Sequence, residues 1–270
     1  MPPFITFLTD FGLQDDFVGT CHGVMKRIAP DVEIIDLTHG INPGRILQGA
    51  LVLANTLPYV PAGVHLAVVD PGVGGSRRAL ALRDQEGRSY VGPDNGLLLP
   101  AADRGGGVAA AYELANPAYS LQPVSRTFHG RDLFSPAAAH LAAGVALDAL
   151  GPPIDPEELV RVELPEPQAG PNRIRATVLA VDRFGNVALN LTRDHLEQAG
   201  VVPGNRVELV ARGGRYYAVA ARTFGDAGSG DLILYEDSYR NIAAAVARGD
   251  AAALLGVGEG SEILIQVDTP

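Results

Sequence analysis

The chain has 270 residues, 47% hydrophobic and 19% charged, enough for two domains or one large one. Its 31 acidic against 21 basic residues give a net charge of −10, a field that repels phosphate backbones and anionic lipid and admits a cationic ligand. No run approaches the roughly 18 unbroken apolar residues of a membrane span, and MPPFITFLTDFG has no basic n-region leading into an apolar h-region, so no membrane partner is expected and a cytoplasmic location is.

Read in chain order, Phe4 to Thr9 predicts a strand, Asp15 to Ile28 a helix, Val32 to Leu37 a strand, Arg45 to Leu57 a helix and Val64 to Val69 a further strand. Cys21 falls on an apolar helical stripe with Phe17, Val24, Met25 and Ile28, where core packing is expected. As the single cysteine it excludes an internal disulfide and a Cys-built zinc site. Ala79 to Arg83 and Ser89 to Val91 read as a hairpin, and Pro136 to Leu147 as an Ala-rich helix. Between Gly151 and Pro171 six prolines break any period, so an interdomain linker is expected there. Beyond it, Ile174 to Val181, Asn186 to Leu191, Arg206 to Val210, Tyr216 to Ala220, Leu232 to Tyr235 and Ile263 to Val267 are short β-rich runs, with an Ala-rich helix expected after Ser238-Tyr239. The expected architecture is an α/β sheet domain over 1–165 and a β-barrel or sandwich domain over 172–270.

Three constellations could carry chemistry. Thr9-Asp10-Phe11-Gly12 closes the first strand, where ligands of open α/β sheets gather, and a lone carboxylate there suits both hydroxyls of a ribose. Asp15 and Asp16 follow; with Asp10 they could hold Mg²⁺, although first-turn helix capping is favoured for the pair. Asp70-Pro71-Gly72-Val73-Gly74-Gly75-Ser76-Arg77 places an acid at a strand end and a guanidinium seven residues on, with glycines that let the two meet. Its spacing fits neither GxGxxG nor GxxxxGK[ST], so a phosphate loop is not expected. His129, in Thr127-Phe128-His129-Gly130-Arg131-Asp132, could handle a proton near neutral pH. The six histidines form no HExxH or other tight cluster along the chain, so no metal is expected. In the β region, Asp182-Arg183-Phe184-Gly185-Asn186, Thr223 to Gly228 and Ser238-Tyr239 read individually as turns.

Taken together, TDFG at 9–12, VVDPGVGGSRR at 68–78, GPDNGLL at 92–98, FHGRDLFSPAAAHLA at 128–142, DRFGNV at 182–187, TFGDAG at 223–228 and the stretch from Ser238 to Gly249 resemble the S-adenosylmethionine hydroxide adenosyltransferase family, related to fluorinase and chlorinase. The resemblance spans nearly the whole chain. It implies an N-terminal α/β domain, a C-terminal β-barrel, a homotrimer with intersubunit sites, no cofactor, and hydrolysis of S-adenosylmethionine to adenosine and methionine. It places Asp70, Arg77 and His129 on the hydrolytic triad and Asp10 on the ribose hydroxyls. Asn186, with main-chain groups near Val246 and Arg248, would read the adenine edge, and Phe224 would pack on the base. Asp182 would meet the methionine ammonium, with Ser238 and Tyr239 near the same end. The halide-using relatives carry tyrosine where this chain has Asp70 and serine where it has Gly130, which favours hydrolysis. They also carry a serine at the position of Phe17.

Water or hydroxide would attack C5′ in line, with Arg77 favouring the anion, His129 accepting a proton or orienting the water, and Asp70 orienting His129 or the water. Rival readings are a non-catalytic binder of adenosine or S-adenosylmethionine, a halogenase, and a Mg²⁺-dependent phosphoesterase built on Asp10, Asp15 and Asp16.

Overall fold

The computed structural model describes residues 3–267. The chain divides after Val162 into two compact units. The first contains β1 (Phe4–Thr9), α1 (Phe17–Ile28), β2 (Glu33–Thr38), α2 (Ile46–Thr56), β3 (Val64–Val68), β4 (Ala79–Asp84), β5 (Ser89–Pro93), α3 (Leu99–Arg104), β6 (Val108–Glu113), α4 (Ser135–Ala142) and β7 (Pro153–Ile154). The second contains β8 (Gln168–Gly170), β9 (Arg173–Val181), β10 (Val187–Leu189), α5 (Arg193–Gln198), β11 (Arg206–Ala211), β12 (Gly214–Ala220), β13 (Leu232–Glu236), β14 (Ile242–Val246), α6 (Ala251–Leu255) and β15 (Glu262–Val267).

The first sheet runs β2-β1-β3-β5-β4-β6-β7. Strands β2, β1, β3 and β5 are parallel, whereas β4 pairs antiparallel with both β5 and β6. β1 is buried along its whole length, its two threonines included, because helices cover both faces of the sheet. Ile5 and Phe7 pack with Cys21, Met25 and Ala138 on one face, and Leu8 packs with Ala50, Leu53 and Leu97 on the other. Each leucine, isoleucine, phenylalanine or methionine among these, taken fully from water, contributes about 1.5–3 kcal/mol. In the second unit β9, β10, β14, β13, β12, β11 and β15 pair in succession and β9 closes on both β15 and β10, giving a seven-stranded barrel with β8 added outside β9. Its interior is filled by Val178, Val187, Leu209, Ala218, Leu234, Ala244 and Ile265.

Four local expectations are corrected. α1 begins at Phe17, so Asp15 lies outside it; Asp16 is the N-cap residue but makes no side-chain cap bond, and its carboxylate accepts from Thr20 Oγ1 at 3.1 Å instead. Phe17 leaves the apolar stripe and is 41% exposed, while Cys21 is fully buried, its thiol pushed up to about 11 by burial. The Ala-rich stretch after Tyr239 is strand β14, because its buried alanines pair with both β13 and β10 and that tertiary pairing outweighs helix propensity. The Pro-rich stretch is not a free linker over its first half. β7 adds an edge strand to β6, Arg78 donates to the Glu158 carbonyl at 2.6 Å, and Asp94 accepts the Val160 amide at 2.9 Å.

Candidate active site

Parallel pairing of Thr9 with Val68 sets the carboxyl ends of β1 and β3 side by side, so Asp10 and Asp70 emerge from adjacent strands. Asp10 Oδ2 accepts the Gly44 amide at 2.8 Å. A Cβ at Gly44 would lie 3.7 Å from Pro71 Cβ, so the turn that holds Asp10 runs close beside the loop that follows Asp70. Thr9 Oγ1 accepts the Phe11 amide at 3.1 Å and fixes the turn from below.

Asp70, Arg77 and His129 form one continuous relay. Arg77 Nε donates to the Asp70 carboxylate at 3.0 and 3.1 Å, and its Nη2 makes a further short bond to Oδ2. The same Nη2 reaches His129 Nδ1 at 2.7 Å. A guanidinium can only donate, so Nδ1 must accept and the ring proton belongs on Nε2. Burial, reinforced by the adjacent Arg77 cation, holds the His129 pKa below the ordinary imidazole value, so the ring is neutral at pH 7. Of the two expectations for Asp70, orienting His129 or the water, the structure shows contact with His129 only through Arg77: Asp70 grips Arg77, and Arg77 grips His129. Asp70 and Arg77 side chains are only 5% and 11% exposed, so this pair is shielded from solvent screening.

Neighbouring residues of the 92–98 and 128–142 motifs, assigned no role of their own from sequence, hold the relay in place. Asn95 Nδ2 donates to the Val69 carbonyl at 2.9 Å, steadying the strand end before Asp70. The Phe134 ring lies 5.1 Å from the guanidinium carbon of Arg77, in cation–π range. Buried Asp132 accepts the Ser125 amide at 2.8 Å and pairs with Arg131, bracing the loop before His129. His129 then opens a π-helical turn over Gly130–Phe134 that runs into α4.

Two glycines are required by close approach. Gly74 has φ +74°, and a Cβ there would meet the Arg126 carbonyl oxygen at 2.2 Å. A Cβ at Gly130 would lie 2.9 Å from Phe11 Cζ. Phe11, Phe17 and Phe128 pack edge to face with centroids 5.2–6.0 Å apart, forming an apolar wall beside His129.

In the barrel, Asp182 Oδ1 accepts the Phe184 and Asn186 amides at 2.8 and 3.0 Å, and Oδ2 accepts Asn186 Nδ2 at 2.7 Å. These two residues are brought together, but chiefly onto each other. Phe224 is 47% exposed and lies 4.7 Å from the Tyr235 ring. Burial, with Asp237 and Asp182 adding negative charge, pushes the Tyr235 hydroxyl up to about 12, which places that ring in the field of Asp182. Val246 pairs with Leu232, and exposed Arg248 follows with φ +63°. Ser238 and Tyr239 lie in the turn closing the β13–β14 hairpin, at its opposite end from Val246 and Arg248. Tyr239 is exposed, and its amide donates to Asp237.

Among the described residues the converging His, Cys, Asp and Glu ligand atoms are those of His22, Asp36 and His39, not those of Asp10, Asp15 and Asp16. The Mg²⁺ reading therefore has no geometric support.

Fold and site together define a two-domain protein of α/β sheet and closed β-barrel, carrying a partly buried Asp–Arg–His relay in the loops beyond its first sheet. The chain belongs to the SAM hydroxide adenosyltransferase family, matching its N-terminal domain over residues 5–151 and its C-terminal domain over 176–264. It is 48% identical to the (R)-S-adenosyl-L-methionine hydrolase of Salinispora tropica, across 97% of both chains. It is 40% identical to the enzyme of the same name from Thermus thermophilus, across 96% of this chain and 98% of that one. A fluorinase from an Actinoplanes species is 30% identical over 87% of this chain and 88% of its own. The crystal structure of an uncharacterized conserved protein from Thermotoga maritima superposes with a TM-score of 0.90 at 37% identity, covering 97% of this chain and 99% of its own.

Proposed function

We propose that this protein is an enzyme that hydrolyses S-adenosyl-L-methionine to adenosine and L-methionine. The observation that carries the reading is the Asp70–Arg77–His129 relay, in a chain nearly half identical to named S-adenosylmethionine hydrolases. An oxygen–carbon bond forms at C5′, the carbon–sulfur bond breaks with its electron pair passing to sulfur, and one proton is released. Hydroxide and sulfonium become neutral products, so charge disappears in the transition state, and an apolar wall such as Phe11, Phe17 and Phe128 favours that change.

The relay supplies fixed donors for the attacking oxygen. A lone cation about 4 Å away at an effective dielectric of about 20 is worth about 4 kcal/mol toward an anion. Asp70 offsets part of that charge, so the direct N–H groups matter more than the distant field. Arg77 Nη1 takes part in none of the relay bonds and is left to hold the oxygen, while neutral His129 offers Nε2–H. His129 is thereby an orienting donor in this arrangement rather than the first acceptor of the proton. Asp10 takes the ribose hydroxyls, and its carboxylate at a strand end is already held by Gly44. Asp182, Asn186, Phe224, Ser238, Tyr239, Val246 and Arg248 form the barrel's contribution to the nucleoside and amino-acid ends. The net charge of −10 favours approach of a substrate bearing sulfonium and ammonium.

The finer reading adds a homotrimer with sites shared between subunits and operation in the cytoplasm. Support comes from the family resemblance and, for the second, from the absence among the described residues of any helix long and apolar enough to cross a membrane. Sedimentation equilibrium tests the trimer.

Incubation of purified protein with S-adenosylmethionine, with and without chelator and with added chloride or fluoride, tests the activity. Equal amounts of adenosine and methionine are expected, with no halogenated nucleoside. No product would leave a binding protein, and halogenated nucleoside would make it a halogenase.

A further inference from the structure

His22 on α1, Asp36 on β2 and His39 just beyond β2 are scattered in sequence, yet they converge at the edge of the first sheet. His22 Nε2 lies 2.9 Å from Asp36 Oδ1, and His39 Nε2 lies 3.1 Å from the same oxygen. All three ligand atoms fall within 4.8 Å of one another. The two contacts are not equivalent. His22 points along a hydrogen bond, whereas His39, only 5% exposed, meets the oxygen off axis and leaves its buried Nε2 without a hydrogen-bond partner. A buried imidazole nitrogen that meets a carboxylate oxygen at 3.1 Å outside hydrogen-bond geometry, beside a second imidazole on the same oxygen, is placed to share a cation with them.

We propose that His22, Asp36 and His39 bind a divalent transition-metal ion of the zinc class. A four-coordinate ion with bonds of about 2.0–2.2 Å holds neighbouring ligand atoms about 3.4 Å apart, so the observed spacing needs only small adjustments. The adjustable members are available, since the His22 and Asp36 side chains are 32% and 41% exposed. Two imidazoles with one carboxylate select zinc-like ions over magnesium or calcium, and three protein ligands leave a position for water.

The surroundings resemble the outer shell of a metal centre. His39 Nδ1 lies 2.9 Å from Thr9 Oγ1, which fixes the ring as an oxygen on the far nitrogen fixes a metal-bound histidine. The Phe7 ring packs against both imidazoles, with centroids 5.8 Å from His22 and 4.9 Å from His39. The His39 carbonyl accepts the Gly12 amide at 2.8 Å, so an ion held here would also steady the turn that carries Asp10. The site is separate from the relay and does not depend on the proposed reaction.

The test uses untagged full-length protein, titrated with Co²⁺ under visible absorption and with Zn²⁺ under calorimetry. One ion per chain is expected, and His22→Ala and Asp36→Asn should each weaken binding by at least about 10–100-fold, the cost of losing merely a group that orients a ligand. Circular dichroism should show the fold unchanged in both variants. His195→Ala, in the barrel, should bind as the parent does. Absence of saturable binding, binding unchanged in both site variants, or loss of binding in His195→Ala would each overturn the proposal.

Discussion

The two units hold their candidate site residues differently. In the first, Asp70, Arg77 and His129 are bonded to one another, and Asp70 and Arg77 are nearly buried. In the barrel, the side chains of interest are either exposed, as Phe224 and Tyr239 are, or spent on turns. Asp182, Asp226, Asp237 and Asp250 each accept backbone amides that the turns would otherwise leave unpaired. Preorganised charge costs desolvation and must be held by its surroundings, whereas an exposed aromatic costs little until a ligand covers it. Damage to the first unit should therefore appear in both stability and turnover, and damage to the barrel face chiefly in binding.

The sharpest test of that division is Arg77→Ala. Losing the N–H groups and the part of the roughly 4 kcal/mol of cation stabilisation that Asp70 does not offset should lower kcat by up to about 1,000-fold. The variant also leaves Asp70 as an unpaired buried carboxylate, which costs about 3–5 kcal/mol of stability. Adenosine affinity, measured by calorimetry, should stay within about threefold of the parent value. Arg77→Lys keeps the charge but cannot bridge Asp70 and His129 in one plane, so it should rescue stability better than turnover. Wild-type turnover in Arg77→Ala would break the comparison.

Acid should find the first unit before the barrel. His39, His65, His129 and His140, whose pKa values are all lowered, lie in the first unit. Fully buried His65 is pushed down to about 4 by burial, with the Arg88 cation adding to it. In the unfolded chain it protonates near 6.5, so between about pH 6.5 and 4 the unfolded state binds the extra proton. The associated stability is present above 6.5 and is lost as pH falls through that window, amounting to about 3 kcal/mol. Urea unfolding at pH 7.5 and 4.5 should show that loss for the parent protein and a gap smaller by about 3 kcal/mol for His65→Asn. Equal pH sensitivity would remove His65 as the cause. By the same sign, the acid limb of kcat/KM should lie below 6.5, because neutral His129 must be protonated to lose its bond from Arg77.

How much of this was legible in the sequence depends on range. β1, β3 and the β4–β5 hairpin announce themselves as short apolar runs between turn residues, and the Asp70 to Arg77 spacing with its glycines foretold their meeting. The order of contacts within the relay was not legible, because which group faces His129 is decided by the loop over 125–129 that Asp132 and Gly74 position from elsewhere. β14 was hidden because alanine carries a helical preference that only its two strand neighbours overrule. The meeting of His22 with Asp36 and His39 could not be read from spacing at all, since it is made by packing a helix against an edge strand.

Smaller effects probe each unit at its rim. Gly130→Ser would drive a Cβ into Phe11, which sits 2.9 Å from that point, and should cost about 1–3 kcal/mol of stability, partly recovered by Phe11→Leu. Phe224→Ala makes the contrasting case. The ring is half exposed and touches Tyr235, so its loss should barely move the urea midpoint. A base stacked on an aromatic ring is worth about 1–3 kcal/mol, and an exposed platform belongs at the low end of that range. Adenosine binding should therefore weaken about five- to tenfold by calorimetry while single-turnover rates at saturating substrate hold. A variant that lost stability and kept its affinity would reverse the roles assigned to the two units, because Phe224 would then be part of the barrel's packing and not of its binding face.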